Sequence, residues 1–309
     1  METLIKIEGL KKRYAEFTVV DGISFEINRN EIFGLLGPNG AGKTTTISMI
    51  CGLLPVTEGE IIFTNCNGKD KKSMIGYCPQ ENIFYPKLTC LEQLLFIGQM
   101  YGIHPNTAKS RAVELLNLLG LSEKSHVRAS KLSGGMKRRL NICLALVHDP
   151  EILILDEPET GLDPQSRILV RDFIKTYSKQ KTVILTTHNM DEAERLCDRV
   201  AIIDHGKLLL LDTPDNLKKT VGEGDILELV IESNNENSIK SFSDSIKLLN
   251  MSITINANFV FIKHSNIIEQ LPTIKNIAEI NGLKITEIKL RENTLEDVFI
   301  HLTGRNLRQ

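Results

Sequence analysis

The spacing of hydrophobic positions changes along the chain, and each spacing predicts a different element. Residues 3–8 and 23–27 alternate apolar and polar positions, which predicts two strands of an antiparallel sheet. Continuous apolar runs at 32–36 and 152–155 predict strands that are buried on both faces, as in a parallel sheet. The pattern therefore favours an α/β core with an antiparallel β subdomain.

Helical spacing replaces strand spacing between the two apolar runs. Thr89 followed by Glu92 is a capping box, which predicts that a helix begins there. Apolar residues then recur on one helical face from Ala108 until Gly120, a residue typical of a helix end. We expect a helical insertion at about 86–140. The pattern leaves open whether this insertion contacts a partner or only elaborates the fold.

A glycine-containing joint at 221–224 precedes a tail with a different pattern. The tail predicts the element order β-α-β-β-α-β and then a terminal helix, with the second helix beginning near Pro272. This order is typical of a small ferredoxin-like α+β domain. We therefore expect two domains, at 1–220 and 225–309.

Composition excludes several classes of protein. The 309 residues are 41% hydrophobic and 25% charged, which is ordinary for a globular protein. The net charge is -2, from 37 basic and 39 acidic residues, so bulk charge gives no reason to expect a nucleic acid partner. No apolar stretch is long enough to cross a bilayer, and the start does not resemble a signal peptide. We expect a cytosolic chain whose membrane role, if any, is peripheral.

The turn after the first buried run has the composition of a phosphate-binding loop. Its glycines allow backbone N–H groups to turn inward on an oligophosphate, and the following helix adds the positive end of its dipole. Lys43 would bring a positive charge to the β- and γ-phosphates, and Thr44 would bind Mg²⁺. The residues expected to bind nucleotide here are Gly37, Pro38, Asn39, Gly40, Ala41, Gly42, Lys43, Thr44 and Thr45.

A second turn of small residues, Ser133, Gly134 and Gly135, also precedes a helix. A serine hydroxyl, free N–H groups and a helix N-terminus together form an anion site, but this turn has no lysine of its own. Such a site can hold a phosphate that another loop already binds.

Two carboxylates follow the second buried run. Asp156 and Glu157 stand at the carboxyl end of the predicted strand, where α/β sheets place their ligands. Buried carboxylates require a metal or hydrogen-bond donors. Asp156 suits Mg²⁺, directly or through water, and Glu157 suits positioning and deprotonating a water. His188 ends a later strand, so we expect it at the same edge of the sheet.

These motifs, in this order, resemble those of the ATP-binding subunits of ABC transporters. The set comprises 37–45, Gln80, 132–136, 152–158, 161–163 and His188. The resemblance implies that Tyr14 stacks on adenine and that Gln80, in a lid, contacts Mg²⁺ and the attacking water. It also implies that His188 contacts the γ-phosphate and that Glu157 is the catalytic carboxylate.

The resemblance further implies that two subunits share their sites. Ser133, Gly134 and Gly135 would reach the ATP held by a second ATP-binding subunit, identical or diverged, which explains an anion site without a lysine. Asp163 would face that partner across the interface. Two ATP molecules would hold the pair together, and hydrolysis would open it.

The end of the chain, 294–304, is similar to the tail of the daunorubicin-resistance type of exporter ATPase. That group works with separate integral membrane permease subunits and exports drugs, lipids or polysaccharides. A simpler interpretation is that Thr294 caps an amphipathic packing helix, and both can hold.

Three other functions compete with an exporter ATPase. An importer ATPase would carry a regulatory tail, usually longer and of β-barrel character. A soluble ABC-type ATPase acting on DNA or ribosomes would carry long coiled coils or two ATPase modules, which this chain lacks in sequence. A nucleotide-binding regulator that never turns over is disfavoured by the intact Lys43, Asp156, Glu157 and His188.

Overall fold

The computed structural model describes residues 2–64, 70–220, 225–232, 236–256, 258–264 and 266–303. They fall into two units that divide between Pro214 and Asp215. The joint expected at 221–224 lies outside the described residues.

The first unit contains nine strands, in the described residues. In chain order they are β1 (Thr3–Tyr14), β2 (Phe17–Asn28), β3 (Ile32–Leu36), β4 (Glu58–Phe63), β5 (Ile75–Cys78), β6 (Ile152–Asp156), β7 (Thr182–Thr187), β8 (Arg199–Asp204) and β9 (Lys207–Asp212). The helices that begin in this unit are α1 (Lys43–Ile50), α2 (Lys71–Met74), α3 (Cys90–Met100), α4 (Pro105–Leu118), α5 (Gly134–Leu146), α6 (Pro164–Ser178), α7 (Met190–Leu196) and α8 (Pro214–Thr220).

A six-stranded sheet in the order β5-β6-β7-β3-β8-β9 forms the centre of this unit. The first five strands in this order, from β5 through β3 to β8, are parallel to their neighbours. In this sheet only β9 runs antiparallel, as the second strand of a hairpin with β8. Every residue of β3, β6 and β7 is buried, which explains the continuous apolar runs of β3 and β6. Parallel pairing places the carboxyl ends of β3, β5, β6 and β7 at one edge of the sheet.

A separate antiparallel sheet, in the order β2-β1-β4, packs its apolar face into the same core. Its buried residues include Leu4, Ile7, Ile23 and Ile27, which lie beside Phe33 and Ile154 of the central strands. The predicted α/β core with an antiparallel β subdomain is confirmed.

Between β5 and β6 the regular secondary structure of the described chain is helical, with loops between the helices and one isolated bridge, from Thr89 to Arg128. The predicted capping box at the start of α3 is present: Thr89 Oγ1 accepts from the N–H of Glu92 at 3.2 Å, and the Glu92 carboxylate accepts from the N–H of Thr89 at 2.7 Å. Helices α3, α4 and α5 pack together around Leu94, Ala108 and Leu140, which are all buried.

The second unit contains β10 (Asp225–Glu232), α9 (Glu236–Leu248), β11 (Ser252–Asn256), β12 (Phe259–His264), α10 (Ile267–Ile280), β13 (Lys284–Arg291) and α11 (Leu295–Thr303). Its antiparallel sheet has the order β11-β12-β10-β13, in which the first and third strands of the unit lie in the middle. Phe242 of α9 and Ile274 of α10 pack on Leu229 and Val260. This is the ferredoxin-like arrangement that the sequence predicts.

Helix α10 begins at Ile267, five residues before the expected start near Pro272. Pro272 therefore lies inside the helix, where it cannot donate a backbone hydrogen bond. The reason is the apolar stripe: Ile267, Ile274 and Ala278 are buried at helical spacing, and burying the first of them requires the earlier turn.

The chain's last described helix is held by its cap. Thr294 Oγ1 accepts from the N–H of Asp297 at 3.3 Å, and Asp297 Oδ2 accepts from the N–H of Thr294 at 2.8 Å. Arg291 donates to both oxygens of Asp297, at 2.6 and 3.0 Å. The predicted capping role of Thr294 is confirmed, and it accounts physically for much of the tail motif.

Among the described residues, no helix combines the length and hydrophobicity that a membrane span requires.

Candidate functional site

The glycine-rich loop connects β3 to α1 and is packed against neighbouring backbone. A Cβ on Gly42, whose φ is +102°, would lie 2.8 Å from the carbonyl oxygen of Val19. A Cβ on Gly37 would lie 2.1 Å from the carbonyl oxygen of Ile203. Because no side chain fits at either position, the loop keeps its N–H groups at the edge of the sheet.

Lys43 is buried at the first position of α1. Its Nζ donates to the carbonyl oxygens of Gly37 at 2.7 Å and Pro38 at 3.1 Å, and lies 3.8 Å from Glu157 Oε1. Burial lowers the pKa of Lys43, and the negative charges of Glu157 and Asp156 oppose that shift. The ammonium group is thus fixed inside the loop, where an oligophosphate would meet it.

A cavity of about 350 Å³ lies at this edge of the sheet. Its lining residues are Val19, Asn39, Gly40, Gly42, Lys43, Thr44, Thr45, Gln80 and Glu157. A larger cavity, of about 570 Å³, lies at the opposite, amino ends of the strands, beside Asn30 and Thr182. Of these two cavities, only the smaller one contains the glycine loop and Lys43.

Asp156 ends β6 and is 1% exposed. Its Oδ1 accepts hydrogen bonds from the hydroxyls of Thr186 and Thr44, the latter at 3.3 Å. Its Oδ2 is buried and has no hydrogen-bond partner. A buried carboxylate oxygen without a hydrogen-bond donor is energetically unfavourable, and a bound cation would satisfy it.

The residues around Asp156 suit Mg²⁺, which keeps water and substrate ligands, rather than a metal whose ligands all come from the protein. No group of three or more His, Cys, Asp or Glu side chains suitable for a metal occurs within the described ranges. Mg²⁺ is usually held by one or two protein oxygens together with water and substrate phosphates. Asp156 and the hydroxyl of Thr44 match that pattern.

Glu157 has a left-handed backbone conformation, with φ +52°. Its N–H donates to the carbonyl oxygen of Thr186 at 3.1 Å and to the Thr186 hydroxyl at 3.0 Å. A non-glycine residue with positive φ is strained, so these bonds hold the side chain in an unusual direction. The carboxylate turns toward the cavity and is 2.9 Å from Nδ1 of His188.

His188 follows β7 and precedes a helix that the sequence analysis missed. Asn189 caps this helix, α7, by accepting from the N–H groups of Asp191 and Glu192 at 3.1 and 3.3 Å. Thr187 donates to Glu192 at 2.6 Å. The helix fixes the loop that carries His188, and asparagine directly after the strand is the signal that could have revealed it.

Gln80 follows β5 in the segment 79–84, which we call the lid loop, and it lines the cavity. Tyr14 is not among the lining residues. It lies at the tip of the β1–β2 hairpin, 47% exposed, opposite Phe17 and with Lys12 Nζ 5.1 Å from its ring centre.

Ser133 and Gly134 begin α5 and are exposed, and they do not line the cavity. The Ser133 hydroxyl accepts from the N–H of Met136 at 3.3 Å. Asp163 caps α6: its carboxylate accepts from the N–H of Ser166 at 3.0 Å and from the hydroxyl of Ser166 at 2.8 Å. A Cβ on Gly135 would lie 3.4 Å from Asp163 Oδ2, so the serine–glycine turn and Asp163 form one surface, apart from the cavity.

The structure therefore brings Lys43, Thr44, Gln80, Asp156, Glu157 and His188 to one place. Tyr14, Ser133, Gly134, Gly135 and Asp163 are not among the residues that line the cavity.

Sequence reasoning missed three buried charged residues near this place. Arg138 is 2% exposed and bonds to carbonyl oxygens on either side of the site. Glu159 pairs with Arg171 at 3.1 Å, and Glu192 is 4% exposed. For Arg138 and Glu192 the only sequence signal was a charge at a helical position that should face the core. Glu159 lies in a turn and gave no such signal.

The chain is similar in sequence to known proteins over nearly its whole length. The sequence model of the ABC transporter family matches residues 20–160. The chain is 41% identical to the linearmycin resistance ATP-binding protein LnrL of Bacillus subtilis, over 99% of this chain and 100% of that protein. It is 36% identical to the Nod factor export ATP-binding protein I of Paraburkholderia xenovorans, over 99% of both chains.

Solved structures give the same result for the fold. An ATP-binding subunit of an ABC transporter superposes with a TM-score of 0.65 at 29% identity, covering 71% of this chain and 94% of that one. The protein cbiO1 of Clostridium perfringens, part of an ABC transporter complex, superposes with a TM-score of 0.64 at 27% identity, covering 72% and 94%. The chain therefore belongs to the ABC transporter family, as an ATP-binding and ATP-hydrolysing subunit that powers export with membrane partners.

Proposed function

We propose that this chain hydrolyses Mg²⁺-ATP as one half of a pair of ATP-binding subunits and thereby drives export of a drug, lipid or polysaccharide. Residues 1–220 form the ATP-binding domain and 225–309 an accessory domain. One observation carries the proposal: Lys43 and Glu157 line one cavity, and Asp156 and His188 contact the lining residues Thr44 and Glu157.

The phosphates bind at the glycine loop, residues 37–45. The buried ammonium of Lys43 faces the β- and γ-phosphates, and the N–H groups that begin α1 add the positive end of the helix dipole. Tyr14 is exposed at its hairpin tip, so its ring is free to stack on the adenine.

Thr44 and Asp156 hold Mg²⁺, with Gln80 as a further oxygen ligand from the lid loop. When bound, Mg²⁺ neutralises charge on the phosphates and draws electron density from the phosphorus that water attacks. The unpartnered Oδ2 of Asp156 supports this role, because a cation would satisfy it.

Glu157 orients the attacking water and accepts its proton. Its strained backbone and its contact with His188 hold the carboxylate at the cavity. His188 contacts the γ-phosphate, and its half-exposed ring allows it to do so while Nδ1 stays on Glu157.

The serine–glycine turn of each chain completes the site of the other. Ser133, Gly134 and Gly135 form a helix N-terminus without a lysine, away from the chain's own cavity, and Ser133 and Gly134 are exposed there. In a head-to-tail pair, this anion site would contact the ATP bound by the second subunit. Asp163 would lie at the same interface.

The helical insertion contacts the membrane permease subunits. Phe96 and Met100 of the insertion, with Ile83 and Tyr85 just before it, expose between 42% and 68% of their surface, and Tyr85 and Phe96 pack edge to face. An exposed apolar group of this kind marks an interface. The chain would lie in the cytoplasm, peripheral on the inner face of the cell membrane.

Two relatives support export as the direction of transport. One is named for linearmycin resistance and another for Nod factor export, and each matches nearly the whole chain, including the tail. Neither of these two relatives is named for import or for an action on DNA or ribosomes.

Purification of the tagged chain from membranes tests the proposal. An integral membrane protein should co-purify, and Phe96→Asp should reduce its recovery, whereas Ile168→Asp, at an exposed residue of α6, should not. Recovery with ribosomes or DNA instead of a membrane protein would refute the proposed function.

A further inference from the structure

Arg138 occupies an unusual position in the second turn of α5. The residue is 2% exposed, yet its guanidinium bonds to backbone carbonyl oxygens. Burying a charge is unfavourable unless its donors are satisfied, and a guanidinium has five N–H donors in a rigid plane. The carbonyl oxygens that accept from these donors therefore show which segments the guanidinium holds together.

The carbonyl oxygens belong to two separate segments. Nη1 donates to Pro79 and, at 3.2 Å, to Gln80, the residue of the lid loop that lines the cavity. Nη2 donates to Asp156 and, at 3.1 Å, to Glu157, at the end of β6. Nε is 3.4 Å from the carbonyl oxygen of Pro158. One planar group thus joins the lid loop to the segment that carries both carboxylates.

The same helix holds the lid loop at two further points. Asn141, which is 4% exposed, accepts from the N–H of Ile83 at 2.9 Å and donates to Asn82 at 3.4 Å. Lys137 Nζ lies 5.5 Å from the ring centre of Phe84. The lid loop is therefore attached to α5 along its length, and a movement of one requires a movement of the other.

We propose that Arg138 is a positioning residue that couples the lid loop, the carboxylate pair and α5. It touches no nucleotide. It sets the distance from Gln80 to Asp156 and Glu157 through their carbonyl oxygens, and it transmits a shift of the lid loop to the helix that begins with Ser133 and Gly134. The last step, from α5 to the other subunit's ATP, rests on the proposed pairing of subunits.

The test compares Arg138→Met with Arg139→Met. Arg139 is the matched control because it also donates to two carbonyl oxygens, those of Leu119 and Gly120, but on the far side of α5. Amide hydrogen exchange of the lid loop in the nucleotide-free chain should accelerate about tenfold or more in Arg138→Met and stay unchanged in Arg139→Met. Unchanged exchange of the lid loop in Arg138→Met would overturn the proposal.

Steady-state kinetics give a second readout. Arg138→Met should lower kcat about tenfold or more while the KM for ATP changes about twofold or less, and Arg138→Lys should recover part of kcat. A kcat equal to that of the parent chain would overturn the coupling role but leave the proposed ATPase function intact. A parent chain without ATPase activity would instead refute the proposed function, whereas the exchange result stands independently of it.

Asn141→Ala keeps the test valid if Arg138→Met does not fold. This variant leaves the guanidinium in place and removes the bonds to Asn82 and Ile83, together with one bond within α5, from Asn141 to the carbonyl oxygen of Lys137. Faster exchange at 82–84 with a lowered kcat supports the attachment of the lid loop to α5, and unchanged values for both overturn it.

Discussion

Nδ1 of His188 lies 2.9 Å from a carboxylate oxygen of Glu157, although 31 residues separate them in the chain. The contact joins the loop after β7 to the loop after β6, and it fixes the direction of a carboxylate whose backbone is already strained. Both side chains therefore depend on each other for their position at the cavity.

Glu157→Gln removes the proton acceptor but keeps the shape of the side chain. We expect kcat for ATP hydrolysis to fall about 100-fold or more, because general base catalysis contributes that much, while ATP affinity is retained. Glu123→Gln, at an exposed position before the serine–glycine turn, is the control and should hydrolyse ATP normally. Normal turnover by Glu157→Gln would exclude Glu157 as the base.

Asp156→Asn tests the magnesium site. The parent chain should bind ATP more tightly with Mg²⁺ than with EDTA, because Asp156 Oδ2 and the Thr44 hydroxyl supply oxygen ligands. The variant should lose this difference, whereas Asp172→Asn, on the exposed side of α6, should keep it. Calorimetric titration with ATP measures both. An unchanged Mg²⁺ effect in Asp156→Asn would place the metal elsewhere.

Gly134→Ala separates folding from pairing. A Cβ at this position meets no heavy atom within 4 Å, and Gly134 is the first residue of α5, so the free energy of unfolding should not decrease. In the proposed pair the same methyl group would meet the other subunit's ATP. In a Glu157→Gln background, ATP-dependent dimerisation measured by light scattering should therefore weaken. Equal dimerisation with and without the methyl group would contradict the head-to-tail arrangement.

Gly76→Ala, unlike Gly134→Ala, should lower the free energy of unfolding. A Cβ on this residue of β5 would lie 2.1 Å from the carbonyl oxygen of Ala145 in α5. The strand and the helix would have to separate, which costs about 1–3 kcal/mol of unfolding free energy. Urea denaturation measures this loss, and a stability equal to that of Gly134→Ala would show that β5 and α5 do not pack as described.

Glu192 should make stability depend on pH. Burial raises the pKa of this carboxyl to about 8 from its ordinary value of 4.5, and the nearby Glu159 and Glu157 add to the rise while the Thr187 hydroxyl opposes it. The folded chain therefore holds a proton that the unfolded chain has released. Folding stability falls as the pH rises from about 4.5 to 8, because the unfolded state binds fewer protons there.

The slope of this decrease approaches about 1.4 kcal/mol per pH unit from a single group. Glu192→Gln cannot titrate, so its unfolding free energy should vary less over the same range. Urea denaturation of both chains at several pH values measures the difference. Parallel pH profiles would mean that Glu192 titrates at its ordinary pKa.

Local sequence signals accounted for the elements but not for the contacts between them. Apolar runs predicted β3 and β6 because strands buried on both faces need them, and Asp156 and Glu157 were therefore placed at the correct edge of the sheet. The distance from Glu157 to His188 was not predictable, since it depends on the order of strands in the sheet and on a strained backbone.

Other errors show where long-range packing overrides local preference. Pro272 suggested a helix start, but the burial of Ile267 extended α10 past it. Arg138 was not singled out from the sequence, because local spacing does not indicate that five carbonyl oxygens converge on it. Its partners lie 18 to 59 residues away.

The exposed serine–glycine turn, set apart from the chain's own cavity, has a genetic consequence. In the proposed pair, a Lys43→Ala chain still donates an intact turn to its neighbour, and a Gly134→Asp chain still has an intact phosphate loop. Each variant paired with itself has two damaged sites. A mixed pair has one undamaged site and one site damaged twice, so co-expression of two inactive alleles would complement, and the restored activity would belong to the site that neither allele could build alone.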